Sequence, residues 1–258
     1  MPGCASVRTV NPASQAPLET ARSVFATTHW TVVLTAREHA GESASPALAR
    51  LCQTYWPPLY AFLRRQGYTS HDAQDLVQGF FERFLERDFL RHADRDKGRF
   101  RSFLLASLRH YVANTNRDER AQRRGGGTHR IALDEASMLD RCEAAFSTEA
   151  TPEIAFDRAW ASTVMNRAAL SLRAEYESRD KVALYETLSR WLATEARPGD
   201  YALVAPALGL TEGALAAAVF RLRQRFRELI REEVAHTVQT PEEIAEEMKY
   251  LLQVLTAE

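Results

Sequence analysis

The sequence predicts an all-α protein of two helical domains joined by a linker, the second built around a helix-turn-helix. Three observations lead there. Apolar residues recur at three- and four-residue steps through most of the chain, the period that gathers side chains on one helical face. No stretch shows the strict alternation of a half-buried strand, and no repeat of fixed period is present. The helical pattern breaks at Gly125-Gly126-Gly127 and resumes only near Pro152.

Taken in order, residues 1–22 are rich in Pro, Ala, Ser and Thr and are expected to form a disordered leader. The first domain is expected over residues 23–127. It opens with a short apolar segment carrying Trp30, Val33 and Leu34, followed by a break over residues 41–46. From Pro46, the residues Leu48, Leu51, Tyr55, Leu59 and Phe62 share one helix face. Pro57-Pro58 is expected to interrupt or kink this run, because proline lacks a donor and clashes with the preceding turn. Gly67 ends it. Ser70 is placed as the cap of a second helix with its body over residues 73–87. There Leu76, Phe80 and Phe84 make one stripe and Val77, Phe81 and Leu85 an adjacent one, which together give a broad apolar face. Residues 94–98 read as a loop. A third helix is expected over residues 99–123, with Phe100, Leu104, Leu108 and Tyr111 aligned.

Residues 128–151 lack periodicity and read as a linker. The second domain, residues 152–236, begins with Pro152 at a position that suits the first residue of a helix. Helices are expected over residues 153–178 and 181–195, the latter carrying Leu184, Leu188, Trp191 and Leu192. The turn Arg197-Pro198-Gly199-Asp200 leads to a short helix over residues 201–208. Gly209 then turns the chain into a longer helix over residues 211–234, where Leu215, Val219, Leu222, Phe226 and Leu229 lie four and three apart. Residues 237–258 form an acidic helical extension with Ile244, Met248, Leu251 and Leu252 at helical spacing. It can pack on the second domain or mask its basic face.

The 258 residues are 45% hydrophobic and 26% charged, enough apolar material for globular cores. The formal net charge is only -1, but it is unevenly spread. Residues 95–130 hold ten Arg and Lys against three acids, and residues 232–258 hold seven acids against Lys249. The three cysteines, Cys4, Cys52 and Cys142, have no paired spacing. This fits a reducing cytoplasm and argues against a disulfide framework or a structural zinc site. No apolar run approaches the ~20 residues that span a bilayer, and the N-terminus lacks the apolar stretch of a signal peptide. The expectation is a cytoplasmic protein with no membrane partner.

Three constellations point toward chemistry. The first is the third helix with its flanks, where Arg99, Arg101, Arg109, Arg117, Arg120, Arg123 and Arg124 surround the apolar stripe beside Tyr111, Asn114 and Asn116. Crowded guanidinium groups repel unless an anion neutralises them. A phosphate backbone does so with release of counterions, and nearby aromatic and amide side chains suit unstacked bases. The bland alternative is an ordinary solvated helix face. The second is the pair of helices around Gly209, with Thr211 in a capping position and Arg221, Arg223, Arg225 and Arg227 following on alternate positions. Arg221 and Arg225 share one face, and Arg223 and Arg227 another. An antiparallel pair in a bundle is the alternative here. The third is Asp72-Ala73-Gln74-Asp75-Leu76-Val77-Gln78 leading into Phe80-Phe81. Acids at a helix start are favoured by the helix dipole, so simple capping competes with a protein-docking surface.

The order of these three signals resembles the extracytoplasmic-function sigma factors of bacterial RNA polymerase. Residues 46–124 look like the family's second conserved region: the Tyr-x-x-x-Leu-Tyr pattern from Tyr55 to Tyr60, then the Asp-Ala-x-Asp-Leu-x-Gln string, then a basic helix. Residues 152–235 are similar to its fourth region, through Leu208-Gly209-Leu210-Thr211-Glu212-Gly213 and Phe220-Arg221-Leu222-Arg223. The resemblance implies core RNA polymerase and promoter DNA as partners, with an anti-sigma factor as a further one. It implies that Asp72, Asp75, Leu76, Gln78 and Phe81 contact polymerase. It implies that residues 94–99 cradle a flipped base of the -10 element, that Asn114, Arg117, Arg120 and Arg124 hold the melted strand, and that Arg99 and Arg101 also bind DNA. Thr211, Glu212, Phe220, Arg221 and Arg225 would then face the -35 duplex. Two features depart from the family pattern. Ala216-Ala217-Ala218 stands where basic residues are common, so direct readout of bases should be weaker and DNA shape more important. Pro206 lies inside the first helix of the motif, where a mid-helix proline costs ~3 kcal/mol.

No Gly-rich phosphate loop precedes a lysine, and no serine-nucleophile or zinc motif occurs. The seven histidines are dispersed. The reading is therefore a non-enzyme without cofactor, catalytic residue or metal site. A helix-turn-helix regulator that never meets polymerase stands as the alternative, and an all-helical enzyme as a more remote one.

Overall fold

The structure, a computed structural model, describes His29 and residues 32–33, 46–85, 99–122, 150–238 and 240–256. Among these residues it is all-helical. The helices are α1 (Pro46–Arg65), α2 (Ser70–Phe84), α3 (Phe100–Gln122), α4 (Pro152–Glu177), α5 (Val182–Ser189), α6 (Asp200–Val204), a 3-10 segment (Ala205–Leu208), α7 (Glu212–Ala235) and α8 (Pro241–Thr256). The leader 1–22 and the linker up to residue 149 lie outside the described residues.

Local chemistry explains most boundaries. Thr69 is the cap of α2: its side-chain oxygen accepts from the Asp72 backbone N–H at 3.1 Å and donates to the Asp72 carboxylate at 2.7 Å. Ser70, predicted as the cap, is instead the first helical residue, with its hydroxyl 2.9 Å from Tyr60 Oη. Thr151 caps α4 and Thr211 caps α7 through bonds from Ile154 and Ala214. Helix α5 is shorter than predicted. It ends at Ser189 as Trp191 N–H turns back to the Leu188 carbonyl and buries its ring on the edge of Tyr201. The α-helix expected over residues 201–208 ends at Val204, two residues before Pro206. The chain changes from α to 3-10 at Ala205, which places the proline in a first turn where no intrahelical donor is needed. Gly209, at φ +64°, then reverses the chain.

Helix α1 runs unbroken through Pro57 and Pro58. The sequence predicted an interruption or a kink, and no interruption forms. Packing prevents it, because Leu51, Tyr55, Trp56, Leu59, Tyr60, Phe62 and Leu63 are buried on both sides of the pair. Pro57 itself is only half-buried, so Pro57→Ala is expected to raise folding stability by about 1–2 kcal/mol, removing most of the helix penalty while losing some ring burial. Urea unfolding measures this; a drop in the midpoint would show the ring's packing to be worth more than the penalty.

The long helix α4, roughly 39 Å from its 26 residues, is the hub. It packs on α1, α5, α7 and α8. Ala155 and Ala159 meet Ala61 of α1, and these small side chains allow the two helices to approach closely. Phe156, Trp160, Val164, Ala168 and Leu172 join a core continuous from Val33 and Leu51 to Val234 and Leu251. The sequence predicts two cores, whereas the described helices share one. The reason is that α4 is apolar on more than one side and buries one of them against α1. Among the described residues no single helix is long and apolar enough to cross a membrane.

Candidate nucleic-acid interface

Arg99 and the basic helix α3 that follows it together carry four arginines whose side chains are described, and three are held internally. Arg101 is buried. Its Nε donates to Glu247 Oε1 and its Nη1 to Asp157 Oδ1, both at 2.7 Å. Its guanidinium carbon lies 4.3 Å from the Tyr250 ring centre and 5.0 Å from that of Trp160. Burial alone would weaken its hold on the proton, but the Glu247 carboxylate, with Asp157, reverses this and raises the pKa. Arg99 pairs with Glu247 at 2.8 Å and Glu246 at 3.5 Å. Arg109 pairs with Glu153 and stacks over Phe62. The sequence argument asked for an anion to neutralise this cluster, and the chain supplies its own from α4 and α8. Arg101, expected to face DNA, is buried in this arrangement. Arg117 remains exposed and, among the described residues, meets Asn114 at 3.4 Å, while Asn114 bonds His110 at 3.0 Å. Arg120 and Arg124 have side chains outside the described residues, as do residues 94–98 of the predicted base-cradling loop.

The start of α2 presents Asp72 and Asp75 to solvent. Asp75 is 3.0 Å from His71, and Gln78 bonds Glu82 at 3.2 Å. Leu76 is half-buried. Phe81, expected at a partner surface, is buried against Phe80 and supports the helix from behind.

The segment Asp200–Leu208 meets Glu212–Ala235 at 95°. Leu215, Val219, Leu222, Phe226 and Leu229 fasten α7 to the core. The opposite side is open: Gly213, Phe220, Gln224, Arg227 and Arg231 are all exposed and follow one another at three-, four- and seven-residue steps, so they form one stripe. Phe220 is 64% exposed. Arg221 flanks the stripe, and Thr211 and Glu212 stand at its head, also exposed. Among the described residues, Arg221, Arg227 and Arg231 have no carboxylate partner.

Arg225 is different. It is gripped by Glu175 at 2.7 Å and by Glu228 and Glu232 at 3.0 Å each, and the Glu175 bond, with the other two, raises its pKa. Arg223 donates to the carbonyls of Trp191 and Thr194 and so locks the end of α5. Of the four alternating arginines, two are structural and two are open. Sequence reasoning selected Arg225 for DNA and omitted Arg231. The signal that separates them is the burial stripe: Arg231 follows Arg227 and Gln224 on the side opposite Leu222 and Phe226, whereas Arg225 sits at its edge within reach of α4.

Cys52 is half-buried, and burial pushes its thiol up to about 11, so it behaves as a packing residue. Cys4 and Cys142 lie outside the described residues. No protein-family model, curated protein or solved structure matches the chain.

Proposed function

We propose that this protein is a transcription initiation factor of the extracytoplasmic-function sigma type, acting in the cytoplasm with core RNA polymerase. In this reading α1–α3 form the module for polymerase and the -10 element. The module for the -35 element is α4–α7, with α6, the 3-10 segment and α7 as its helix-turn-helix. The observation that carries the reading is the 95° pair of segments with an open, arginine-bearing stripe on the second. That angle falls within the ~90–120° typical of the motif, and the stripe presents an aromatic, an amide and unneutralised guanidinium groups on one side of a firmly packed helix. Thr211, Glu212, Phe220 and Arg221 enter the duplex groove first, and Arg227 and Arg231 grip phosphates further along. The exposed carboxylates Asp72 and Asp75 dock on polymerase.

Arg227→Ala with Arg231→Ala is expected to weaken duplex DNA binding and to flatten the dependence of log affinity on log salt by about 2, roughly 0.9 for each lost phosphate contact. Fluorescence anisotropy over a salt series reads this, and an unchanged slope would remove α7 from the interface. Polymerase association is tested by co-purification with the core enzyme: Asp75→Arg should abolish it while leaving helicity intact.

A second reading, a duplex-binding regulator without polymerase, is favoured by the internal pairing of Arg99, Arg101 and Arg109, which leaves Arg117 as the open arginine among the described side chains of α3. DNA binding by a chain that never co-purifies with polymerase would select it.

A further inference from the structure

The acidic helix α8 is attached in two unlike ways. Ile244 and Leu251 are buried on the apolar side, consistent with its packing on α4 and α7. The other anchor is ionic and reaches a different part of the molecule. Glu247, 1% exposed, divides its carboxylate between Arg101 of the basic helix α3 and Arg99 just before it, and Glu246 adds a weaker contact to Arg99. Tyr250 stacks on Arg101 and donates to Asp157 at 2.6 Å, closing the ring α3–α8–α4. A buried ionic seal is a poor way to gain stability, since desolvating the charges offsets most of their attraction. Its known merit is to select one arrangement over another. Here the arrangement it selects holds carboxylate oxygens 2.7 and 2.8 Å from guanidinium nitrogens of Arg101 and Arg99, groups of the kind that also bind phosphate oxygens.

We propose that α8 is an internal phosphate mimic: an autoinhibitory latch that competes with single-stranded nucleic acid for Arg99 and Arg101. The proposal rests on the nucleic-acid reading of α3, and it explains why Arg99 and Arg101 meet carboxylates in the folded chain. The latch is graded. Arg99 is 31% exposed at its side chain and Glu246 is 74% exposed, so this outer pair opens to solvent first. Arg101 is held between Trp160 and Tyr250, and when α8 lifts it loses Glu247 and Tyr250 while keeping Asp157 of α4. Displacement removes two carboxylates from the competition at once, because both belong to one turn of α8.

The test uses the full chain and a fluorescein-labelled single-stranded DNA of roughly 12 nucleotides, within the usual site size. Glu246→Gln with Glu247→Gln keeps the side-chain shapes and removes the competing charge. Its affinity is expected to rise about tenfold and its salt slope to steepen by about 1.4, two phosphate contacts at roughly 0.7 each. Adding Arg99→Ala should cancel most of the gain. A folded double variant with the wild-type affinity and slope overturns the latch. That result leaves the α7 reading standing or falling on the separate duplex measurement with Arg227→Ala and Arg231→Ala. If the double variant unfolds, amide exchange on the wild-type chain decides. Saturating oligonucleotide should speed exchange across residues 244–254, and unchanged or greater protection there overturns the proposal.

Discussion

Glu247→Ala is expected to lower folding stability by about 3–5 kcal/mol, the usual consequence of removing one partner from a buried ion pair. The Glu247 carboxylate is 1% exposed and Arg101 is buried with it. Truncation leaves the Arg101 guanidinium with Asp157 alone and strips Arg99 of its closer partner. The glutamine variant costs less, because its amide oxygen still accepts from Arg101 and no cavity opens. Replacing both sides of the pair, Arg101→Met with Glu247→Leu, should recover most of the loss, since apolar residues of similar volume need no desolvation. Chemical unfolding followed by circular dichroism measures all three variants. A loss under about 1 kcal/mol for Glu247→Ala would mean that α8 is held by Ile244 and Leu251 and that the ionic contacts are incidental.

Acid is expected to destabilise the fold from pH 6.5 downward, through His29. Its ring is buried, with Nδ1 3.2 Å from Tyr55 Oη, an edge contact to Phe100 and a stacked His236 at 6.3 Å. Burial, reinforced by the neighbouring charges of His236, Arg167 and Arg50, pushes its pKa down from 6.5 to about 3. The unfolded chain therefore binds the proton more readily across that interval. The stability tied to neutral His29 is fully present above pH 6.5 and is lost as pH falls toward 3, at up to about 1.4 kcal/mol per pH unit. Carboxylates add their own loss below about pH 4.5, so the clean comparison is between pH 6.5 and 4.5. There His29→Gln should show a flat profile where the wild type declines by about 2–3 kcal/mol. Equal slopes in the two proteins would show that the segment around His29 detaches without unfolding the rest. The expected site of action is the join between blocks, since His29 N–H donates to the His236 carbonyl at the end of α7 at 2.8 Å.

Much of the secondary structure was legible in the sequence. The helical period located the helices to within a few residues, Gly67 and Gly209 marked real turns, and the side chain of Thr211 was correctly placed as a cap. These features depend on neighbours along the chain, and the code for them is local. Where a local rule was overruled, packing explains it. Pro57 and Pro58 lie within a continuous helix because core residues on either side hold it, and Trp191 ends α5 early because its ring finds Tyr201.

What the sequence by itself determined is the all-helical class, the apolar faces and the existence of a basic helix and an acidic tail. Only the tertiary structure decided which charges are available to a partner. Arg101 and Arg225 look like Arg117 and Arg231 in the sequence, but the former meet carboxylates 146 and 50 positions away and the latter meet solvent. Periodicity reports which side of a helix faces the core. It carries no information on which distant helix lies across that edge, and the attraction between opposite charges is settled only when folding brings them within a few ångströms.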